Sequence, residues 1–259
     1  GVLPRRKRPM LTSATMNKLY ELRLAGMAES YRRQMEDIAT FGALGFEERF
    51  GMMVDAEWGS KRSKRLATLI KNAGFHDGGA CVENIEYHDD RKLDRGTIAR
   101  LASCAYIEEH QNVILIGASG SGKSFLGAAL GVAACRNFYR VKYIRLPELL
   151  NEIAVARGMG VLEDALKQYR NVRLLILDDW LIFPLNSMEA RDLLEIVQAR
   201  LGVSSTIFCS QYTPEGWHAK IGEGVVADAI LDRVVHNAHM IRIQGKESMR
   251  KKKGIATTA

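Results

Sequence analysis

Two patterns of apolar and polar positions divide the chain. From Leu11 to about Phe75, apolar residues recur every three or four positions, as on one face of an α-helix. Gly42 and Gly45 interrupt this pattern, and Asn72-Ala73-Gly74 is typical of a helix end. This part of the chain is therefore predicted to be helical. The apolar positions of its longest helix are Phe46, Phe50, Met53, Trp58, Leu66, Leu69 and Ile70.

The pattern changes in the second part of the chain. Residues 76–96 are rich in Gly, Asp and His, show little periodicity and are predicted to form a linker. A short helix at about Thr97 to Glu109 then leads into short apolar runs that alternate with helical segments, which is the pattern of a parallel α/β sheet. Runs that are apolar throughout are typical of strands covered on both faces. The predicted strands are Val113–Ile116, Val141–Ile144, Leu174–Leu177, Thr206–Cys209 and Met240–Ile243.

Composition points to a compartment and a class of partner. The longest mainly apolar run, Phe125 to Cys135, covers about half of the roughly 20 residues that a membrane span needs. With no secretory signal either, no membrane partner is predicted. The four cysteines are far apart, which favours reduced thiols and a cytoplasmic location. A net charge of +7 and a pI near 9.3 favour an anionic partner, usually nucleic acid.

A phosphate-binding motif follows the first predicted strand. Residues 117–124, GASGSGKS, match G-x-x-x-x-G-K-[ST] at every fixed position, between a strand and an alanine-rich helix. The glycines let consecutive N–H groups point at phosphates, and the helix N-terminus adds partial positive charge. Lys123 is predicted to reach the β- and γ-phosphates of ATP, and the Ser124 hydroxyl to bind Mg2+. The predicted nucleotide-binding residues are Gly117, Ala118, Ser119, Gly120, Ser121, Gly122, Lys123, Ser124 and Phe125.

Polar residues follow two further strands. Asp178 and Asp179 come directly after the apolar run Leu174–Leu177, which would place them at the carboxyl edge of the sheet, beside the P-loop. Asp178 is predicted to organise Mg2+, and Asp179 to orient or deprotonate the attacking water. At the end of the next strand, Ser210 or Gln211 is predicted to hold that water, and the residues alone do not choose between the two.

Two arginines near the C-terminus are candidates for contact with the γ-phosphate. Arg233 is predicted to lie on a helix, from which an arginine near a subunit edge can reach into a neighbour's site. Arg250 follows the last predicted strand. For both, the residues alone leave a solvated arginine as the alternative.

Together these motifs resemble those of the IstB family, the AAA+ ATPases of IstA/IstB-type insertion sequences and relatives of the DnaC-type helicase loaders. The resemblance covers the chain from about Lys18 onward. It is most specific at DRVVHNAH, residues 232–239, followed by ESMRK, residues 247–251. The other matching segments are Gly117–Ser124, Leu174–Asp179, Ser210-Gln211 with Trp217, and Ala229–Arg233.

The resemblance implies an AAA+ core with a five-stranded parallel sheet and no helical lid, preceded by a small all-helical domain. It also implies a homo-oligomer that assembles with ATP on double-stranded DNA and stimulates a transposase of the IstA type. By motif, Arg233 falls on the arginine finger, Arg250 on the sensor-two arginine, and Asp178 and Asp179 on the Walker B pair. Many AAA+ proteins have Asp-Glu in Walker B, so the shorter Asp179 leaves the rate of hydrolysis open.

The predicted domains are residues 1–75, a helical domain for DNA binding or oligomerisation, residues 76–96, a linker, and residues 97–259, the AAA+ ATPase domain. The clearest basic cluster lies on the long predicted helix, where three- and four-residue spacing puts its members on shared faces. Such contacts bind phosphates without reading sequence. The predicted DNA contacts are Lys61, Arg62, Lys64 and Arg65, and in the ATPase domain Arg145 and Arg157.

Three other functions would use the same motifs. A replicative helicase loader of the DnaC type would grip a helicase with its N-terminal domain. A small-molecule kinase would use the P-loop for phosphoryl transfer, but the predicted topology leaves little room for an acceptor-binding lid. A DNA-wrapping scaffold would use ATP only for assembly. The favoured function is a DNA-binding ATPase that serves transposition.

Overall fold

The computed structural model of the protein describes residues 8–222 and 224–244. The chain forms two compact units, with the division between Thr68 and Leu69. Within the described ranges, no helix is long and apolar enough to cross a membrane.

The first unit is made of helices, which confirms the helical prediction for this part of the chain. The longest helix begins at Phe46, directly after Gly45, whose N–H donates to the Glu48 carboxylate over 2.9 Å. Glu57, buried on the same helix, accepts a hydrogen bond of 3.1 Å from the Met27 N–H in the first turn of another helix. The helices are α1 (Arg8–Glu21), α2 (Ala25–Glu36), α3 (Ile38–Phe41) and α4 (Phe46–Ala73), which continues past Thr68 into the second unit.

The second unit is built around a five-stranded parallel sheet, as the sequence predicts. The strands are β1 (Asn112–Gly117), β2 (Val141–Arg145), β3 (Leu174–Asp178), β4 (Ser205–Ser210) and β5 (Ala238–Ile243). They lie in the order β2-β3-β4-β1-β5, and every neighbouring pair is parallel. Strand β3 is buried along its whole length, as expected for an apolar strand covered on both faces. The chain segments that follow β1, β3 and β4 therefore leave the sheet at the same edge.

Helices cover this sheet. The helix predicted at about Thr97 to Glu109 is divided in two at Cys104, whose φ of 67° is left-handed. The helix after β1 packs closely on β3, since a Cβ at Gly131 would lie 2.6 Å from the Ile176 side chain. The helices are α5 (Arg95–Ala102), α6 (Ala105–Glu108), α7 (Lys123–Arg136), α8 (Leu146–Gly158), α9 (Leu162–Arg170), α10 (Ser187–Arg200), α11 (Pro214–Ile221) and α12 (Val225–Val235), with 3-10 turns at Val82–Asn84 and Asp89–Arg91.

An aromatic cluster anchors the turn after β3. The Trp180 ring packs edge-on against the rings of Phe208, at 4.6 Å, and Trp217, at 5.8 Å, and all three are buried. The backbone N–H of Trp180 also donates to the Cys209 O over 2.9 Å. Since Trp180 directly follows Asp179, this packing fixes the turn that carries the two carboxylates at the end of β3.

Candidate nucleotide-binding site

The loop between β1 and α7 has the backbone geometry of a phosphate cradle. Gly120 and Gly122 have left-handed φ angles of 76° and 92°, which side chains disfavour. At Gly117, a Cβ would lie 2.6 Å from the Ser121 Oγ. The loop therefore requires glycine at these positions, and α7 begins immediately after it at Lys123. The positive end of the helix dipole thus faces the loop.

Polar atoms of this loop are poised for an anion. Lys123 is only 7% exposed, and its Nζ donates to the Ala118 O over 2.8 Å, so the ammonium lies over the loop. The buried Ser121 Oγ has no hydrogen-bond partner among the described residues, as expected of an atom that a bound phosphate would satisfy. Ser124 and Phe125 line the same cavity. The loop thus fits the phosphates of ATP, and the Ser124 hydroxyl is an oxygen ligand of the kind that Mg2+ takes.

The first of the two carboxylates at the end of β3 is held rigidly. Asp178 is buried at the end of β3, and both of its oxygens accept hydrogen bonds. Its Oδ2 accepts from the Tyr143 hydroxyl at 2.5 Å, and its Oδ1 from the Asp179 N–H at 2.9 Å. Burial and the neighbouring carboxylate raise the pKa of Tyr143, so its hydroxyl remains a donor. Asp178 is thereby oriented at the wall of the cavity, where a carboxylate oxygen fits Mg2+.

The second carboxylate is held by an ion pair. Asp179 has a left-handed φ of 50°, which turns the chain sharply after β3. Its Oδ2 lies 2.5 Å from the Arg145 Nη2 and 2.7 Å from the Arg145 Nε. The hydrogen bond to Asp179 and the attraction between the two charges raise the pKa of Arg145. The structure therefore places Arg145, which the sequence predicts as a DNA contact, against the carboxylate predicted to act on water.

The two polar residues at the end of β4 differ in their surroundings. Ser210 is buried, and its Oγ donates to the Trp180 O at 3.1 Å and accepts from the Trp217 Nε1 at 3.0 Å. Gln211 is exposed and lines the cavity with the P-loop and both carboxylates. Ser210 thus serves the packing of the two tryptophans, and Gln211 is the polar residue beside the cavity.

One wall of the cavity, which has a volume of about 990 Å3, comes from the segment predicted as a linker. Within it, Arg91 is buried and donates to the Ser121 O at 2.9 Å and to the Glu86 O at 2.5 Å. Its own carbonyl accepts from the Gln244 N–H at 3.1 Å. Burial lowers the pKa of Arg91. Arg91 thus ties the P-loop to this wall and to the end of β5. The wall residues are His76, Asp77, Gly78, Asn84, Glu86 and Arg91.

Of the two arginines predicted to contact the γ-phosphate, only Arg233 lies among the described residues. Arg233 lies on α12, where it hydrogen-bonds the Gln198 side chain and donates to the Ala229 O at 2.8 Å. It is not among the described residues that line the cavity of its own chain. Arg250, with the rest of residues 247–251, lies outside the described residues.

The predicted basic cluster lies on α4 in the first unit. Its members are all exposed: Lys61, Arg62, Lys64 and Arg65. Lys61 forms an ion pair of 3.3 Å within the helix, and the Arg62 guanidinium lies 5.1 Å from the centre of the Trp58 ring. In the second unit, the predicted DNA contact Arg157 pairs with Asp192 at 2.5 Å.

Comparison with known proteins places this chain in a family. Residues 17–256 match the family described as IstB-like ATP binding protein. The chain is 40% identical over 242 residues to a putative insertion sequence ATP-binding protein of Sinorhizobium fredii, an alignment that covers 93% of this chain and 96% of that relative.

Among solved structures, the fold is similar to that of DnaA from Aquifex aeolicus bound to AMPPCP, with a TM-score of 0.57 and 20% identity over 69% of this chain and 54% of that one. It is also similar to the DnaC helicase loader, with a TM-score of 0.55 and 17% identity over 64% of this chain and 98% of that one. Both likenesses show the AAA+ P-loop fold. From its sequence match and this fold, the chain belongs to the IstB-like ATP-binding protein family.

Proposed function

We propose that this chain is an ATPase that assembles with ATP on double-stranded DNA and recruits or stimulates a transposase during DNA transposition. One observation carries the proposal: the P-loop, Asp178, Asp179 and Gln211 line one cavity at the carboxyl edge of the sheet. ATP hydrolysis needs such a set, with a phosphate cradle, a ligand for Mg2+ and groups that act on water. The relative named as an insertion sequence ATP-binding protein supports the transposition context.

In the proposed reaction, a water oxygen bonds to the γ-phosphorus of ATP while the bond to the bridging oxygen of ADP breaks. The loop N–H groups and Lys123 bind the phosphates. Ser124 and Asp178 would hold Mg2+, which would supply positive charge at the phosphate oxygens. Asp179 orients the water and takes its proton. Tyr143 keeps Asp178 oriented through its hydroxyl.

The proposal is tested by measuring ATP hydrolysis and assembly with duplex and with single-stranded DNA. Duplex DNA is expected to stimulate hydrolysis, and electron micrographs are expected to show multi-copy complexes only when both ATP and duplex are present. Stimulation by single strands alone would instead favour the helicase-loader function. Equal hydrolysis with and without any DNA would contradict the DNA-dependent part of the proposal.

Gln211 is proposed as the residue that holds the attacking water. Gln211→Ala is expected to lower kcat at least about tenfold, because a misplaced water reacts slowly, and to leave stability unchanged because Gln211 is exposed. Ser210→Ala is its matched control at the same strand end. It is expected to lower stability by about 1 kcal/mol, because buried hydrogen bonds are lost, with little change in kcat. Urea denaturation measures the stability of both variants. A larger loss of kcat in Ser210→Ala than in Gln211→Ala would reverse the assignment.

The α4 cluster is proposed to bind DNA phosphates. Each neutralised phosphate contributes a slope of about −0.9 to log affinity against log salt concentration. Replacing Lys61 and Arg65 with alanine is therefore expected to flatten that slope by about two units, equally for unrelated duplexes. The control removes two arginines of the second unit, Arg136 and Arg173, each paired with a glutamate. An unchanged slope in the α4 variant would show that the cluster does not contact DNA.

A further inference from the structure

The backbone of the predicted arginine finger is anchored to the sheet. Arg233 lies in the last turn of α12, where helix carbonyls lack partners within the helix. The Asn112 side chain, at the start of β1, donates to the Arg233 O at 3.4 Å and to the Val234 O at 3.2 Å. Its own oxygen accepts from the Thr206 N–H in β4 at 3.0 Å. The end of α12 is therefore joined to β1 and β4, and the Arg233 backbone has a fixed place.

The side chain of Arg233 is held from a second helix. Its Nε donates to the Gln198 Oε1, and its Nη1 donates to the Ala229 O at 2.8 Å. Gln198 lies in the last turn of α10. The helices α10 and α12 share one hydrophobic core, in which Ile196 and Ile230 are both fully buried. A firmly packed helix thus carries the amide that orients the guanidinium.

The acceptors of Arg233 are uncharged, unlike those of several other arginines in the second unit. An amide oxygen fixes the direction of a guanidinium without compensating its positive charge, whereas a carboxylate does both. The Nη2 of Arg233 has no hydrogen bond to a described residue, so that end of the guanidinium can donate to phosphate oxygens. The arginines with an acidic partner are Arg136, Arg145, Arg157, Arg170 and Arg173.

We infer that Gln198 is a positioning residue for the arginine finger, whose amide oxygen orients the Arg233 guanidinium for a neighbour's nucleotide and leaves its charge available to the γ-phosphate. This inference rests on the proposed function, in which the chain hydrolyses ATP as an assembly, and on the predicted role of Arg233. A guanidinium presented in this way stabilises the charge of the transferred phosphate. Because Gln198 acts only through Arg233, changing it must alter hydrolysis in the neighbouring subunit and not in its own.

Gln198→Glu tests the uncharged acceptor. Glutamate keeps the side-chain length but makes the contact an ion pair, which competes with the γ-phosphate for the guanidinium. With duplex DNA, kcat is expected to fall about two- to fivefold, the range that an exposed ion pair supplies. The KM for ATP should not change, because the P-loop is untouched. Ala199→Glu adds the same charge at the next exposed position of α10, and it should hydrolyse ATP as the wild type does.

Gln198→Ala removes the acceptor without adding charge. Its kcat is expected to fall about two- to tenfold, the range of one hydrogen bond, because the guanidinium then samples other directions. Gln198 is exposed, so thermal unfolding of both variants should match that of the wild type. A faster Gln198→Ala enzyme would show that Gln198 holds Arg233 away from the nucleotide, and it would overturn the inference.

Dilution into Asp179→Asn subunits separates a neighbour's site from a subunit's own. These subunits lack the group that activates water but keep Gln198 and Arg233. In a large excess of them, nearly every site of a Gln198 variant faces a native finger across a head-to-tail interface. The rate per active site is expected to rise to that of wild type diluted in the same way. A defect in the variant's own site, or a loss of structure, would persist after dilution and overturn the inference.

Arg233→Ala in the same dilution distinguishes failure of the inference from failure of the proposed function. If dilution restores Arg233→Ala while the undiluted Gln198 variants already match the wild type, only the role of Gln198 fails. If Arg233→Ala stays slow among Asp179→Asn subunits, Arg233 does not serve a neighbour, and the role of Gln198 fails with it. If the wild type hydrolyses no ATP with any DNA, the proposed function itself fails.

Discussion

The Lys123→Ala variant is expected to bind ATP about ten- to a hundredfold more weakly than the wild type and to form no ATP-dependent complexes on duplex DNA. The expected loss follows from the hydrogen bonds that a charged group makes, worth about 1.5–3 kcal/mol, at about 1.4 kcal/mol for each factor of ten in affinity. Lys123 is 7% exposed and lies over the loop at the Ala118 carbonyl. Titration calorimetry with ATP measures the effect directly.

The matched control for this experiment is Lys71→Ala. Lys71 is an exposed lysine in the last turn of α4, so its loss changes the net charge equally without touching the P-loop. It should bind ATP as the wild type does. A Lys123→Ala protein that keeps wild-type affinity and still assembles on DNA would mean that the nucleotide binds elsewhere.

The elements that sequence predicts well are those that local patterns specify. Apolar runs such as Leu174–Leu177 are strands because a buried β-strand needs no polar face. The P-loop is predictable because its backbone demands glycine at Gly120 and Gly122, whose φ angles are left-handed. In both cases the physical cause lies within a few residues of the signal.

The contacts that sequence does not predict depend on strand order. Tyr143 and Arg145 reach Asp178 and Asp179 only because β2 lies beside β3 in the sheet, although the paired residues of these strands are 33 positions apart in the sequence. Arg91 has no motif, and its role at the P-loop appears only when residues 76–91 are packed against it. From the sequence alone, an arginine outside any motif is predicted to be solvated or to bind DNA, because its partner is known only from the structure.

The assignment of Ser210 and Gln211 at the end of β4 also depends on a contact that the sequence does not predict. Successive residues near a strand end point to different sides, so the Ser-Gln pair has to present one side chain inward. Burial of Trp217 beneath the strand end gives Ser210 its partner, and Gln211 then lines the cavity. The outcome is decided by an aromatic residue on the following helix.

Arg233→Ala subunits are expected to bind ATP as the wild type does but to hydrolyse it more slowly, on the order of a thousandfold, as expected on removal of an arginine finger. Arg233 is not among the described residues that line the cavity of its own chain. Its side chain hydrogen-bonds the Gln198 side chain on α10 and the Ala229 carbonyl on α12. We propose that its guanidinium serves the nucleotide of a neighbouring subunit. Arg191→Ala, an exposed arginine on α10, is the control and should hydrolyse ATP at the wild-type rate.

Mixing two inactive variants separates action in trans from action in cis. Asp179→Asn subunits keep Arg233 and the P-loop but lack the group that activates water, and Arg233→Ala subunits lack only the finger. If Arg233 acts in trans across a head-to-tail interface, about one quarter of the interfaces in an equal, random mixture join an intact Asp179 to an intact Arg233. Hydrolysis should then recover to roughly a quarter of the wild-type rate per subunit, within the spread that unequal co-assembly introduces. If Arg233 acts in cis, no subunit of either kind has a complete site, and the mixture stays as slow as its parents. Such a result, with co-assembly shown by two differently tagged subunits in one complex, would remove Arg233 from the neighbour's site.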